Sequence, residues 1–133
     1  MTGVRLPLLF AAMAGGAFGA GLRYLVGVLF VQRHWYGIPA ATFAVNALGC
    51  FLAGGLIVWL DTRLSGQPLL RNLLMVGFLG GLTTFSAFGV EIWQLLRADR
   101  FGVAAMTVAA HVIIGVAAVA LGWQLGRWLW FRG

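Results

Sequence analysis

The chain has no lysine, three acidic residues, one cysteine, three prolines and two histidines among 133 residues. Each shortage excludes something. Charged residues are 9% of the chain against 62% hydrophobic, and mean hydropathy is +0.96. A water-soluble domain of this size has far too much surface to cover with so few charges, so a bilayer is the solvent that fits. The single Cys50 cannot form an intrachain disulfide and reads as a small packing residue. The acids are Asp61, Glu91 and Asp99, so the first apolar run has no carboxylate. A small multidrug exporter, also a four-span protein, needs one there. His111 has no second histidine, cysteine or carboxylate at ligand spacing, which argues against a side-chain metal centre. No nucleophile–base pair is evident, which argues against an enzyme. The net charge of +6 comes from nine arginines. They stand singly or in twos between apolar runs, as flanks of membrane helices do, and form no nucleic-acid-binding patch.

What is present is apolar length. A spanning helix needs about 20 mostly apolar residues. Four segments qualify: Pro7 to Val31, Ile38 to Leu60, Leu69 to Leu96, and Phe101 to Trp130. The breaks are the polar stretches QRHWYG, DTRLSGQP and RADR. Pro7, Pro39 and Pro68 fall near helix starts, where a missing N–H costs little. Trp35, Trp59, Trp93, Trp123, Trp128 and Trp130 lie near span ends, as interfacial aromatics do. Arg5 followed by LPLLFAAMAGGA has the look of a cleavable signal, but the apolar pattern continues to Val31, past any such site. The chain therefore reads as a single four-helix membrane domain over residues 1–133.

Four spans put both termini on one side, with Arg5, Arg63, Arg71, Arg127 and Arg132. The other side has Arg33, Arg97 and Arg100. Five against three is a weak bias for a rule that reads positive charge. Two arrangements follow: an antiparallel dimer of oppositely inserted copies, or one orientation with a modest preference. Glycines four apart (Gly15 and Gly19, Gly77 and Gly81, Gly122 and Gly126) are expected to let helix backbones approach closely. The stretch GAFGAG at 16–21 follows no strand and is no dinucleotide loop.

Polar groups inside apolar spans are costly and mark candidate function. Arg23 lies deep in the first span; it is either an anion attractor in an aqueous vestibule or a guanidinium snorkelling to a headgroup or paired with a carbonyl. Thr42 and Asn46, four apart, share a face of the second span. Asn46 is either interhelical glue or a pore-lining donor. In the third span, Gly80, Gly81, Thr83 and Thr84 make poor helix near its middle. The expectation is a broken third helix, either a kink or a break whose freed carbonyls hold a cation. Beyond it Thr84, Phe88 and Glu91 fall within one arc, Phe85 borders it and Ser86 points nearly opposite. Phenyl ring edges are positive and, with hydroxyl and amide donors, can face an anion where a full charge is too costly. Thr107 and His111, four apart in the fourth span, read first as packing residues.

These residues carry a resemblance. GAFGAGLRYLVG, TFAVNALGCFLAGG and above all GFLGGLTTFSAFGVE resemble the Fluc fluoride channels, also called the CrcB family, over nearly the whole length. The resemblance implies an all-α integral membrane fold and a dual-topology homodimer of oppositely inserted copies in a bacterial cytoplasmic (inner) membrane. It implies two fluoride pores and a structural Na⁺ at the dimer centre. Carried over by motif, the Na⁺ carbonyls belong to Gly80 and Thr83. The pore residues are Asn46, Phe85, Phe88, Thr84 and Ser86, with Arg23 near the vestibule and Glu91 the nearby carboxylate. The implied activity is passive, electrodiffusive export of fluoride that protects the cell from its toxicity. A membrane assembly factor held by the same glycines would leave Asn46, Arg23 and the TTFS cluster without a purpose. Two departures stand out: Ala87 and Gly89 occupy positions where many members carry hydroxyls, and members often carry tyrosine and serine somewhere in the fourth span, where this chain has Thr107 and His111 without a fixed register.

Overall fold

The computed structural model of the chain describes residues 5–30, 34–35, 38–63 and 65–131. Arg33 and Arg132, both part of the arginine count, and the side chain of Trp35 lie outside what is described. Helix α1 is Leu6–Leu29, with Pro7 in its first turn. A two-residue antiparallel bridge follows, β1 (His34–Trp35) with β2 (Ile38–Pro39). Helix α2 is Ala40–Arg63. The third span is composite: α3 (Pro68–Arg71), a π-helical stretch π1 (Asn72–Leu79) and α4 (Gly80–Leu82), then α5 (Phe85–Arg97). Helix α6 is Phe101–Phe131. Four of these segments are long and apolar enough to cross a membrane, and the chain is a multi-pass membrane protein by that measure.

Sequence boundaries differ from these by only a few residues. Ile38 belongs to the short bridge and not to the second span, because a residue that precedes a proline is disfavoured in helical geometry. At the other end Thr62 donates its hydroxyl back to the Val58 carbonyl, and α2 runs on to Arg63. The turn after α5 is compact. Asp99 takes φ 55°, Asp99 N–H bonds to Leu96 O, and Arg100 N–H bonds to Leu95 O. This is the paired C-terminal bonding that usually uses glycine, and aspartate tolerates it better than most residues.

The helices pack as two close pairs: α1 against π1 and α4, and α2 against α6. Glycine makes both seams. A Cβ at Gly15 would lie 2.0 Å from Leu73 O, and one at Gly19 would lie 2.1 Å from Phe78 O. Facing them, a Cβ at Gly77 would lie 2.5 Å from Ala12 O and one at Gly81 would lie 2.4 Å from Gly16 O. The AGGA stretch that resembled a cleavage site is thus a packing surface of α1. In the second pair Gly122 meets Phe51 O and Gly54 meets Val119 O in the same way. Gly126 sits more loosely, facing side-chain atoms of Trp130 and Val58.

Leu60, Leu82 and Thr107 are fully buried, and Val45, Val58 and Ala104 are nearly so. Thr107 satisfies its hydroxyl on the Val103 carbonyl of its own helix. Most other apolar side chains face outward; between 11% and 28% of each span is buried. So much exposed apolar surface is compatible with lipid or with another protein chain as the neighbour. At the span ends Arg71 pairs with Asp61 at 3.2 Å, both half-exposed. The Arg127 guanidinium lies 4.7 Å from the Trp123 ring centroid.

Candidate functional site

The site forms where the third span stops being helical. Thr83 has ψ 157° and Thr84 has φ −149° and ψ 117°, both extended. Helical bonding ends with Thr83 N–H on Leu79 O, and the Thr83 hydroxyl folds back onto the same carbonyl at 2.8 Å. Room for the Thr83 side chain comes from α2: a Cβ at Gly49 would lie 2.2 Å from Thr83 Cγ2. The extended pair is then held by one side chain. Asn46 Oδ1 accepts from Thr84 N–H at 2.8 Å, and Asn46 Nδ2 donates to Thr84 O at 3.1 Å. The carboxamide thus imitates a neighbouring strand and satisfies both backbone groups of a residue outside any helix.

That pairing answers part of the question over Asn46. It joins α2 to the third span, as glue would, and it also lines the groove beside the break. Thr84 then serves as N-cap of α5. Its Oγ1 accepts from Ala87 N–H at 3.1 Å, a bond worth about 1 kcal/mol to a helix start. The same oxygen is 3.2 Å from Ser86 Oγ. The expected opposition of Ser86 and Thr84 is therefore corrected. It assumed continuous helix, and Thr84 sits just outside it.

A groove of about 340 Å³ opens beside these residues, lined by Asn46, Thr83, Thr84, Phe85, Phe88 and His111 among others. Phe85 is 83% exposed, so the groove is open on that side. The Phe85 and Phe88 rings are tilted with centroids 5.6 Å apart. Phe88 also lies 4.5 Å from the His111 ring, and Phe43 meets His111 edge-on at 5.1 Å. Sequence reading missed Phe43; a phenylalanine next to Thr42 in an apolar run gives no signal of its own.

The two remaining candidates hold the surroundings in place. Arg23 Nε donates to Gly81 O at 3.0 Å, tying α1 to the last turn before the break. This is the carbonyl pairing expected of a buried guanidinium, and it also leaves the positive charge near the break. Glu91 accepts from the Thr42 hydroxyl, linking α5 to α2. Thr42, Asn46 and Gly49 therefore act along one face of α2, each on a different part of the third span. Ala87 and Gly89 bring no hydroxyl to α5, and the space a Cβ would take at Gly89 is open.

The sequence has relatives. A family model described as CrcB-like protein, Camphor Resistance (CrcB), matches residues 10–123. A protein of Xanthomonas euvesicatoria pv. vesicatoria is 45% identical over 121 residues, covering 91% of each chain. One from Hahella chejuensis is 42% identical over 92% of this chain and 96% of its own. One from Chloroflexus aurantiacus is 40% identical over 90% and 95%. Each of the three bears the name fluoride-specific ion channel FluC. A channel moves ions and makes no covalent change in them, so the family is one of transport proteins and not of enzymes. With a family model spanning most of its length and relatives above 40% identity, this chain belongs to the CrcB family.

Proposed function

We propose that this protein is a fluoride-selective channel through which fluoride leaves the cytoplasm down its electrochemical gradient. The observation that carries the reading is the Asn46–Thr84 pairing. It holds two residues of backbone open beside a groove in which amide, hydroxyl and phenyl edges stand together. Fluoride is small and tightly hydrated. Stripping its water requires a close set of weakly positive donors, and the ring edges of Phe85 and Phe88 with the hydroxyls of Thr84 and Ser86 offer that without a fixed charge. Arg23 adds a distant attraction, its guanidinium anchored on Gly81 O. Glu91, held by Thr42, fixes the far half of the groove's helix.

Hydrofluoric acid is weak and crosses bilayers in neutral form, then dissociates in a near-neutral cytoplasm. An inside-negative potential drives the trapped anion outward with about 2.3 kcal/mol per 100 mV. Export therefore needs no nucleotide and no coupled ion. The setting is the bacterial cytoplasmic membrane, where such a potential exists.

The working unit is an antiparallel homodimer of oppositely inserted copies carrying two pores. The open side of the groove, with Phe85 almost fully exposed, supports a second chain as the missing wall. A structural Na⁺ fits the break. Thr84 N–H, which would otherwise bond Gly80 O, goes to Asn46, and Ala87 N–H, which would otherwise bond Thr83 O, goes to Thr84 Oγ1. Two carbonyls leave the helical ladder, and hard oxygens suit a hard cation. Gly80 and Thr83 would hold it. When bound, the cation would supply positive charge that draws copies together about their carbonyls.

The test is efflux from liposomes containing the purified protein, followed with a fluoride electrode while K⁺ and valinomycin carry the balancing charge. Rapid fluoride release with no release from chloride-loaded vesicles is the expected result. Silence toward fluoride from a folded dimer in Na⁺ buffer would refute it. In the same assay Phe85→Ile is expected to cut fluoride flux several-fold or more while the dimer persists on size-exclusion. Undiminished flux would remove Phe85 from the pathway.

A further inference from the structure

His111 is a polar groove residue without a role so far. Its Nδ1 lies 2.9 Å from Thr107 O, a carbonyl that can only accept, so Nδ1 carries the proton. In the neutral ring Nε2 is then a bare acceptor. It is buried and has no hydrogen-bond partner among the described residues. Around it are the Phe88 and Phe43 rings, and the ring as a whole lines the groove with Asn46 and Thr84. A packing histidine buried among phenyl rings gains nothing from an orphaned nitrogen, which costs the full loss of its hydration.

We propose that His111 is a proton-dependent fluoride site: protonation at Nε2 turns the bare acceptor into an N–H donor, and the imidazolium then holds fluoride in the groove. No covalent bond forms. A proton from solution sits on Nε2, and fluoride accepts a charge-assisted hydrogen bond from it. The proposal rests on the channel reading and adds to it an acid-responsive station. An acid surround is also where hydrofluoric acid enters fastest, so a channel that opens its best donor under those conditions matches load to capacity.

The ionisable groups on the surrounding elements are few. On α2 they are Cys50, which also lines the groove, and Asp61 and Arg63 near the helix end. On α5 they are Glu91, bonded to Thr42, and Arg97 in the last turn. On α6 itself Arg127 lies far along the helix, against Trp123. Arg23 belongs to α1 and is engaged on Gly81 O. Glu91 is the rival source of a pH response, and removing the imidazole separates the two.

Fluoride efflux is measured at about pH 5.5 and about pH 7.5, after subtracting leak from protein-free vesicles. The wild-type channel is expected to conduct roughly tenfold faster at the lower pH, the factor one charge-assisted hydrogen bond supports. His111→Gln, which keeps a polar side chain of similar reach, is expected to show no such slope. A flat wild-type profile, or a slope that survives in His111→Gln, overturns the proposal and leaves the channel intact. A second readout is independent of flux. In a His34→Gln background, where His111 is the only histidine, its ¹⁵N resonances are titrated with sodium fluoride and with sodium chloride. Fluoride is expected to move the midpoint upward, since an anion that binds the protonated ring must favour protonation, and chloride is expected not to. Equal midpoints overturn the site. A shifted midpoint in a protein that conducts nothing would keep the site and refute the channel.

Discussion

Asn46→Leu is expected to abolish fluoride flux and to destabilise the protein severely. Leucine copies the branching of asparagine at Cγ, is bulkier, and has none of its hydrogen bonding. The change strips partners from both Thr84 N–H and Thr84 O, now bonded at 2.8 and 3.1 Å. Each orphaned backbone group costs about 1–3 kcal/mol, and in a membrane no water is at hand to replace the loss. The third span can escape by closing its ladder into continuous helix, with Thr84 N–H returning to Gly80 O. That would swing Thr84 and Ser86 out of the groove and withdraw the Gly80 and Thr83 carbonyls from any cation. Asn46→Asp separates structure from conduction. It keeps an oxygen for Thr84 N–H, sets a second oxygen against Thr84 O and adds a negative charge to the groove. Two like charges about 4 Å apart repel by about 4 kcal/mol at an effective dielectric near 20, so anion flux should fall at least 100-fold even where the fold survives. The measurements are thermal unfolding in detergent and fluoride efflux on the same preparations. Wild-type melting of Asn46→Leu would mean the Asn46–Thr84 bonds carry no weight. Wild-type flux in Asn46→Asp would remove Asn46 from the anion's path.

Much of this arrangement was legible in the residues. Length and apolar composition give four spans with ends off by a few positions, because desolvation of whole segments outweighs local detail. Glycines at spacing four foretell both seams, since only a missing Cβ lets backbones meet. Gly80, Gly81, Thr83 and Thr84 mark where helix weakens. Three features were not legible. The π-helical stretch Asn72–Leu79 has ordinary helical composition, and nothing in its own residues announces the wider turn with which it packs against α1. The cap on α5 was hidden because a helical wheel presumes that Thr84 lies on the helix, whereas it lies one residue before it. The third is the site's dependence on Gly49 and Phe43. Both sit in an apolar run, and their meaning comes only from Thr83 and His111 across the interface. Asn46 was visible as a candidate with two readings; the structure shows it bonded to Thr84 across the α2 interface and placed on the groove's lining.

Glycine substitutions should divide by what faces them, with opposite signs. Gly122→Val is expected to prevent correct folding. Its Cβ would lie 2.0 Å from Phe51 O and 2.9 Å from the carbonyl carbon, both main chain, so no rotamer change relieves the clash. Across the seam, Gly54 stands in the same relation to Val119 O at 2.1 Å, so the two helices are locked by reciprocal contacts. Separating α2 from α6 to admit a Cβ would forfeit dispersion along one of the two close helix pairs, and in lipid that dispersion is much of what holds helices together. It would also shift His111 and Thr107 on α6 away from Asn46 on α2, so any folded remainder should conduct poorly. Gly27 offers the contrast. It is helical, in α1, and nothing stands within 4 Å of its would-be Cβ. Gly27→Ala should therefore stabilise by about 0.5–1 kcal/mol, the helix-interior difference between the two residues. Heating detergent-solubilised protein and measuring what remains monodisperse on size-exclusion decides both. Collapse of Gly122→Val with a raised midpoint for Gly27→Ala is the expected pair. A well-behaved Gly122→Val would mean that α2 and α6 do not approach through this seam, and the groove between them would have to be rebuilt around a wider spacing.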